Sequence, residues 1–197
     1  MKKIFFCLIF LGLFMASCSS PTLYQGSPED LALLVEDMPG EYMIIKDLSG
    51  EKSNDSLTLN SDDPEARDQY LDATRRIDGW ENRFVLIEMT QELPGFILNQ
   101  VVTYETIEGA RIALEWPTTE NREIVDIDRK IGDMMIVSQT PFSAPDESTW
   151  MDYRVEFVHN NVLGAISTYA PEEIATPDYA LDLAEQLFRN FQTIPAE

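Results

Sequence analysis

His159 is the only histidine in the chain, and it closes an alternating run just before Asn160-Asn161, which places it at a hairpin tip. Nucleophilic hydrolysis usually sets a base beside a serine or cysteine, with an acid to orient the base and a pocket around both. The pattern around His159 offers neither, so it reads as a solvated turn histidine. No Gly-x-Ser-x-Gly, phosphate-loop or dinucleotide fingerprint occurs, and the nine glycines are scattered. Carboxylates are the remaining reactive groups. Asp62-Asp63, and Asp126-x-Asp128 with Asp133 downstream, are the densest oxygen clusters. Neither has the Asp-x-Asp-x-Asp-Gly spacing or the twelfth-position Glu of a Ca2+ loop, so they read as solvated acids, with weak Ca2+ binding as the alternative. A carboxylate glycosidase needs a defined acid separation that spacing does not supply. The expectation is a protein without a catalytic set, metal or bound cofactor.

The aromatic residues are a different kind of candidate. Trp80, Trp116 and Trp150, with Met134, Met135 and Met151, suit core packing, and equally could line an apolar pocket between sheet and helix. Trp116-Pro117 and Ser148-Thr149-Trp150 fall at loop edges, which marks Trp116 and Trp150 as a possible apolar contact surface.

Cys18 carries the strongest chemical signal. Residues 1–17 run from Met-Lys-Lys through the apolar stretch Ile4 to Ala16 to Ser17, the order of a secretory signal. The apolar stretch has 13 residues, whereas a spanning helix needs about 17 to 25. Met15-Ala16-Ser17-Cys18 resembles the bacterial lipobox, departing from it at Met15, where Leu is usual. That resemblance implies cleavage before Cys18 and a diacylglyceryl group on its sulfur; the alternative is ordinary cleavage near Ala16. Two or three acyl chains hold a protein on a membrane durably. Residues 18–27 then form the lipidated Cys and an uncharged tether, its residues 19–27 reaching at most about 30 Å. With Cys7 removed and Cys18 acylated, residues 28–197 contain no cysteine, so disulfides and thiolate sites are excluded.

The full chain carries 14 Lys+Arg against 35 Asp+Glu, a formal charge of −21, and losing Lys2 and Lys3 with the signal takes it to −23. Phosphate binding requires neutralisation by Lys and Arg, so nucleic acid is excluded as a partner, and anionic headgroups are repelled. A basic or other envelope protein fits the sign of the charge, although solubility alone also accounts for it.

Helical spacing of Leu31, Leu34, Val35 and Met38 predicts a helix over 27–38, followed by a strand over 41–47 and a loop over 49–61. Asp63-Pro64 opens a second helix to about Arg76 with a narrow apolar stripe. Strands are expected over 80–89 and 95–104, a short helix over 106–115, a polar segment over 121–130 and a strand over 133–139. Residues 151–159 alternate, with Asp152, Arg154 and Glu156 on the wet side. A two-residue turn at Asn160-Asn161 returns the chain over 162–169, and Thr176-Pro177-Asp178 starts a long amphipathic helix through Phe191.

This order gives an α+β single domain over 28–197, an antiparallel sheet of about six strands covered by helices. Gly79-Trp80 and Phe84, the Ala-containing helix Ile107 to Leu114, the step Ile131-Gly132-Asp133, the final hairpin and the C-terminal helix resemble small exported lipoproteins of the PsbP-like α-β-α sandwich type over residues 28 to 193. The resemblance implies a binding, assembly or sensing module. The expected function is a membrane-anchored, extracytoplasmic lipoprotein of the bacterial cell envelope that binds a protein through its acidic face or an exposed sheet edge. The alternative is a carrier or sensor of a small apolar ligand in a sheet-helix cleft.

Overall fold

Runs with an apolar residue at every second position pair into one antiparallel sheet in the computed structural model, which describes residues 23–59, 61–88, 92–117, 122–144 and 146–193. The signal segment and Cys18 lie outside the described residues. The strands are β1 (Tyr42–Ile44), β2 (Gly50–Glu51), β3 (Arg76–Leu86), β4 (Phe96–Tyr104), β5 (Glu123–Ile124), β6 (Met134–Ser143), β7 (Thr149–His159) and β8 (Val162–Pro171). Their spatial order is β1-β3-β4-β8-β7-β6-β5, and β2 also pairs with β3. The α+β single domain is as expected. The sheet has eight strands rather than six because the two-residue strands β2 and β5 arise inside segments that read as loop and polar linker.

Four helices pack on this sheet: α1 (Asn54–Leu59), α2 (Pro64–Thr74), α3 (Ile107–Glu115) and α4 (Pro177–Gln192). Helix α4 starts where the sequence says it should. Thr176 accepts from the backbone N–H of Asp178, and Pro177 occupies the first helical position. Its buried stripe of Ala180, Leu183, Ala184, Leu187 and Phe191 lies on Phe157, Val155 and Ile166. Phe157 meets Phe191 at 5.3 Å and Phe188 edge-on at 5.9 Å between ring centres. Each fully buried side chain of this size contributes about 1.5–3 kcal/mol, so this face holds the main core.

The segment expected as a helix over 27–38 instead makes two 3-10 turns, Pro28–Leu31 and Val35–Asp37. A neighbouring cross-strand asparagine pair explains the difference. Leu33 N–H donates to Asn99 Oδ1 at 2.8 Å, and Asn82 Nδ2 donates to the Leu33 carbonyl at 3.0 Å. Those bonds take the backbone groups a helix would use internally, while Leu31, Leu33 and Met38 still reach the core. The expected strand over 41–47 shortens to β1 and a turn at Lys46–Leu48, and the expected loop over 49–61 contains β2 and α1.

Helices α2 and α3 sit on the opposite face, over one end of the sheet. There Ala110 and Leu114 close a smaller core with Tyr104, Val158, Leu163 and Ala165. Gly109 permits the approach of the two helices, because a Cβ on it would stand 2.1 Å from the Thr74 carbonyl oxygen. Among the described residues no helix is long and apolar enough to cross a membrane.

Candidate functional site

Strand register divides the face opposite α4 into three zones. Under α2 and α3 lies the small apolar core. Next come two polar rows across the sheet: Glu81, Gln100, Ala165, Glu156 and Ile136, then Arg83, Leu98, Ser167, Arg154 and Ser138. Beyond them, at the far end of the strands, lie Phe96, Tyr169 and Asp152 in one row and Phe142 with Trp150 in another.

The polar rows form one connected network. Glu81 accepts from Arg83 Nε at 2.7 Å and from Gln100 Nε2 at 2.7 Å, with Lys52 Nζ at 3.6 Å. Gln100 passes the connection on by accepting from Arg154 at 3.1 Å. Arg154 pairs with Glu156 at 2.8 Å, and Glu156 also meets Arg122 at 3.4 Å. Burial alone would lower the Arg154 pKa, but the Glu156 carboxylate, Asp152 and Tyr169 together outweigh it and hold the guanidinium above its ordinary value. The expected wet side of β7 is therefore corrected: the Arg154 and Glu156 side chains are only 14% and 18% exposed, because each is enclosed by the other and by neighbouring strands.

The far zone is a trough of about 670 Å3. Phe96, Leu98 and Tyr169 form its floor, Ile45 and Leu48 one wall, and Phe142 and Trp150 the other. Phe142 stands edge-on to Tyr169 at 6.0 Å, and both Phe96 and Phe142 lie 6.4 Å from Trp150 between centres. Phe96 remains 43% and Phe142 38% exposed, so these rings face solvent on a strand surface that ordinarily carries polar residues. Asp152 and Arg83 also line the trough. Its bordering turns carry Asp47, Asp146, Glu147, Glu172 and Glu173 against Lys46. Two Ser148 hydrogen bonds hold the Asp146 carboxyl below the usual carboxylate range, so the rim carries negative charge.

The two tryptophans singled out by their loop-edge positions are not brought together. Trp150 lies in the trough, where its indole N–H donates to Ser148 Oγ at 3.1 Å. Trp116 lies in a second cleft of about 680 Å3 beneath α2, edge-on to Tyr70 at 5.4 Å. Met134 and Met135 divide between the two cores rather than sharing a pocket. His159 is packed more than a turn histidine would be: its ring stands edge-on to Phe188 at 5.2 Å, and Nδ1 lies 3.5 Å from Asp133. Of the acidic clusters, Asp63 caps α2 by accepting from Ala66 N–H at 3.0 Å, and Asp133 accepts from Asn160 N–H at 2.9 Å. Among the described residues no three His, Cys, Asp or Glu side chains gather as metal ligands.

Sequence reading missed Glu81, Gln100 and the trough floor, because their faces emerge only from register. Charged residues inside β3 and β7 were the available signal.

Burial raises the pKa of Tyr24, Tyr42, Tyr104 and Tyr169 above the ordinary tyrosine value. A folded value above the unfolded one means that their contribution to stability is complete below about pH 10 and is lost as pH rises through the folded values. Alkaline titration is thus expected to show part of the tyrosinate absorbance at 295 nm appearing together with loss of circular dichroism. Complete tyrosine ionisation near pH 10 with the fold intact would contradict this.

No protein-family model matches the chain, and no curated protein matches it. Among solved structures, the crystal structure of the extracellular domain of PknH from Mycobacterium tuberculosis is similar in fold. The alignment has a TM-score of 0.50 at 13% identity and covers 87% of this chain and 99% of that one. At that identity the likeness speaks to the fold.

Proposed function

We propose that this chain is a non-enzymatic lipoprotein of the bacterial cell envelope, anchored through Cys18 on the extracytoplasmic side, whose aromatic trough binds a segment of a partner protein. The observation that carries the reading is the set of rings Phe96, Phe142, Trp150 and Tyr169, the first two exposed and the others half-buried, gathered in a concave surface on a part of the sheet that no described helix covers. Aromatic anchors of this kind dominate binding energies at protein interfaces. The acidic rim selects a segment with apolar residues flanked by Lys or Arg.

The similar fold of a protein described as an extracellular domain supports the location, as does the signal-like N-terminus. Geometry also favours the face over the sheet edge. Beyond Gln139, β6 has no paired strand on its outer side among the described residues, and Pro141 removes a backbone donor there. The tether supplies an orientation. Asn161 holds Tyr24 by accepting from its N–H at 2.7 Å and donating to its carbonyl at 2.9 Å. On this reading the anchored segment joins the described domain at Tyr24, beside the β7–β8 hairpin, while Trp150 lies at the other end of β7, roughly 30 Å away at the rise of a strand. On this reading the trough lies at the end of the sheet away from the anchor.

A photo-crosslinking residue at Phe142 in intact cells is expected to capture one protein, with the adduct mapping to an apolar segment flanked by basic residues and falling at least tenfold in Trp150→Ala. Adducts that match those from the exposed position Glu108 would overturn the reading. The trough's volume also falls in the range of small-molecule sites, about 300–1,000 Å3. This favours carriage of an apolar small molecule as a second reading, for which the same experiment returns a small-molecule adduct. The space between α4 and the sheet does not serve that reading, since Phe157, Phe188 and Phe191 fill it.

A further inference from the structure

In a chain so rich in acid, the second cleft concentrates positive charge. Lys52, Arg67, Arg76, Arg122 and Arg154 all line it. Its paired groups are accounted for: Lys52 lies by Glu81, while Arg122 and Arg154 share Glu156. Arg67 and Arg76 are the surplus. Among the described residues neither has a carboxylate within 4.0 Å, in contrast to the ion pairs on either side of them in sequence order.

Arg76 is only 7% exposed. Its guanidinium donates to Asn54 Oδ1 at 2.5 Å and to the Lys52 carbonyl at 2.6 Å, both neutral acceptors. Burial lowers its pKa and outweighs the opposing influence of Tyr104, Tyr70 and Asp78, and the charge of Arg67 adds to the lowering. Gly79 makes the position available, because a Cβ there would stand 2.2 Å from an Arg76 nitrogen. Arg67 lies with its guanidinium carbon 5.6 Å from the Tyr70 ring centre, and its buried Nε has no hydrogen-bond partner among the described residues. The Tyr70 and Tyr104 hydroxyls are 3.0 Å apart in the same cleft. One of the two donates to the other, which leaves the second hydroxyl hydrogen for another acceptor.

A buried cation without a paired carboxylate is costly, and the charge of the half-buried Arg67 on the same cleft adds repulsion to the buried Arg76. Of the acids at this cleft, Glu81 and Glu156 have their own cations, Asp63 caps α2, and Asp62 is exposed at the mouth, while Asp78 acts on Arg76 from beyond ion-pair distance. The wider negative charge of the domain is screened beyond about 8 Å at physiological ionic strength, so the local pair decides what the cleft attracts. We infer that this cleft is a binding site for an oxyanion, a carboxylate or phosphate carried on an organic molecule, held by Arg67 and Arg76 with its apolar part against Trp116, Leu57 and Ala113. The guanidinium fork matches both oxyanions. The inference is independent of the aromatic trough, which lies beyond the polar rows.

The oxyanion could belong to a soluble molecule or to a lipid headgroup, and the test separates them. Calorimetric titration of the intact protein in detergent with benzoate and with inorganic phosphate is expected to show saturable binding of at least one. Arg67→Gln should weaken it at least tenfold, and Arg129→Gln, which removes an ion pair with Asp182 on α4, should leave it unchanged. Thermal melts establish that Arg67→Gln is folded, and Tyr70→Phe provides a second variant with a smaller expected loss. Repeating the titration in nanodiscs with and without phosphatidylglycerol assigns the source. Competition by the anionic lipid identifies a headgroup, and an unchanged curve identifies a soluble anion. Absence of saturable binding by both probes overturns the inference, and so does binding that Arg67→Gln leaves intact.

Discussion

Glu156→Gln is expected to lower the unfolding free energy by about 3 kcal/mol, although it removes a negative charge from a chain with 35 acidic residues and 14 basic ones. Two effects oppose each other here. Fewer negative charges mean less self-repulsion in the compact state, which favours the variant. Against that, Glu156 is the carboxylate paired with Arg154 at 2.8 Å and with Arg122 at 3.4 Å, and its side chain is 18% exposed. Removing one member of an enclosed pair leaves the other charge desolvated, and that local term exceeds the diffuse one. The sign of the measured change decides between them. Urea unfolding should show a lower midpoint for Glu156→Gln with an unchanged slope. Glu108→Gln, at an exposed position on α3, should stay within about 0.5 kcal/mol. Adding Arg154→Met to Glu156→Gln should recover part of the loss, because the nearer of the two cations that Glu156 pairs with is then gone. A Glu156→Gln protein as stable as the parent would show that net charge governs this face and that the network contributes little.

That network also marks the boundary of what was legible in the sequence. Apolar runs and periods identified β3 in part, from Trp80 on, and β4, β6, β7, β8, α2, α3 and α4, since each has enough residues for its pattern to show. They failed over 27–38, where Leu31, Leu34, Val35 and Met38 have helical spacing but Asn82 and Asn99 claim the backbone of Leu33. Such a bond joins residues far apart in sequence and leaves no local trace. Alternation in β7 separated Arg154 and Glu156 from Val155 and Phe157 correctly, yet could not say what covers the polar side. That depends on β8 lying between β7 and β4, which places Gln100 within reach of Arg154. The trough was half visible: Trp150 stood at a loop edge, but Phe96 read as part of an apolar strand, and only the register sets it across from Tyr169. Trp116 went to the other cleft for the same reason, since α3 ends beside Tyr70 rather than at the open end of the sheet.

Cys18→Ser is expected to move the protein from the membrane to the soluble extracytoplasmic fraction, or to leave it unprocessed with its signal attached. Acyl chains contribute about 0.8 kcal/mol per buried CH2, so two or three make release negligible while none leaves only the protein surface. Among the described residues no helix is long and apolar enough to span, and the overall excess of acid over base opposes adsorption to an anionic surface. The same variant separates tethering from recognition. The trough lies at the opposite end of β7 from the point where Asn161 holds Tyr24, so losing the anchor leaves the trough's contacts intact. Photo-crosslinking from Phe142 to a membrane-bound partner should therefore weaken in cells, where the anchor raises effective concentration. The purified partner should bind the Cys18→Ser protein in solution as it binds the lipidated form in detergent. Mature Cys18→Ser protein that stays membrane-bound and is processed as before would remove the anchor assignment, while the trough would still be judged on the Trp150→Ala result.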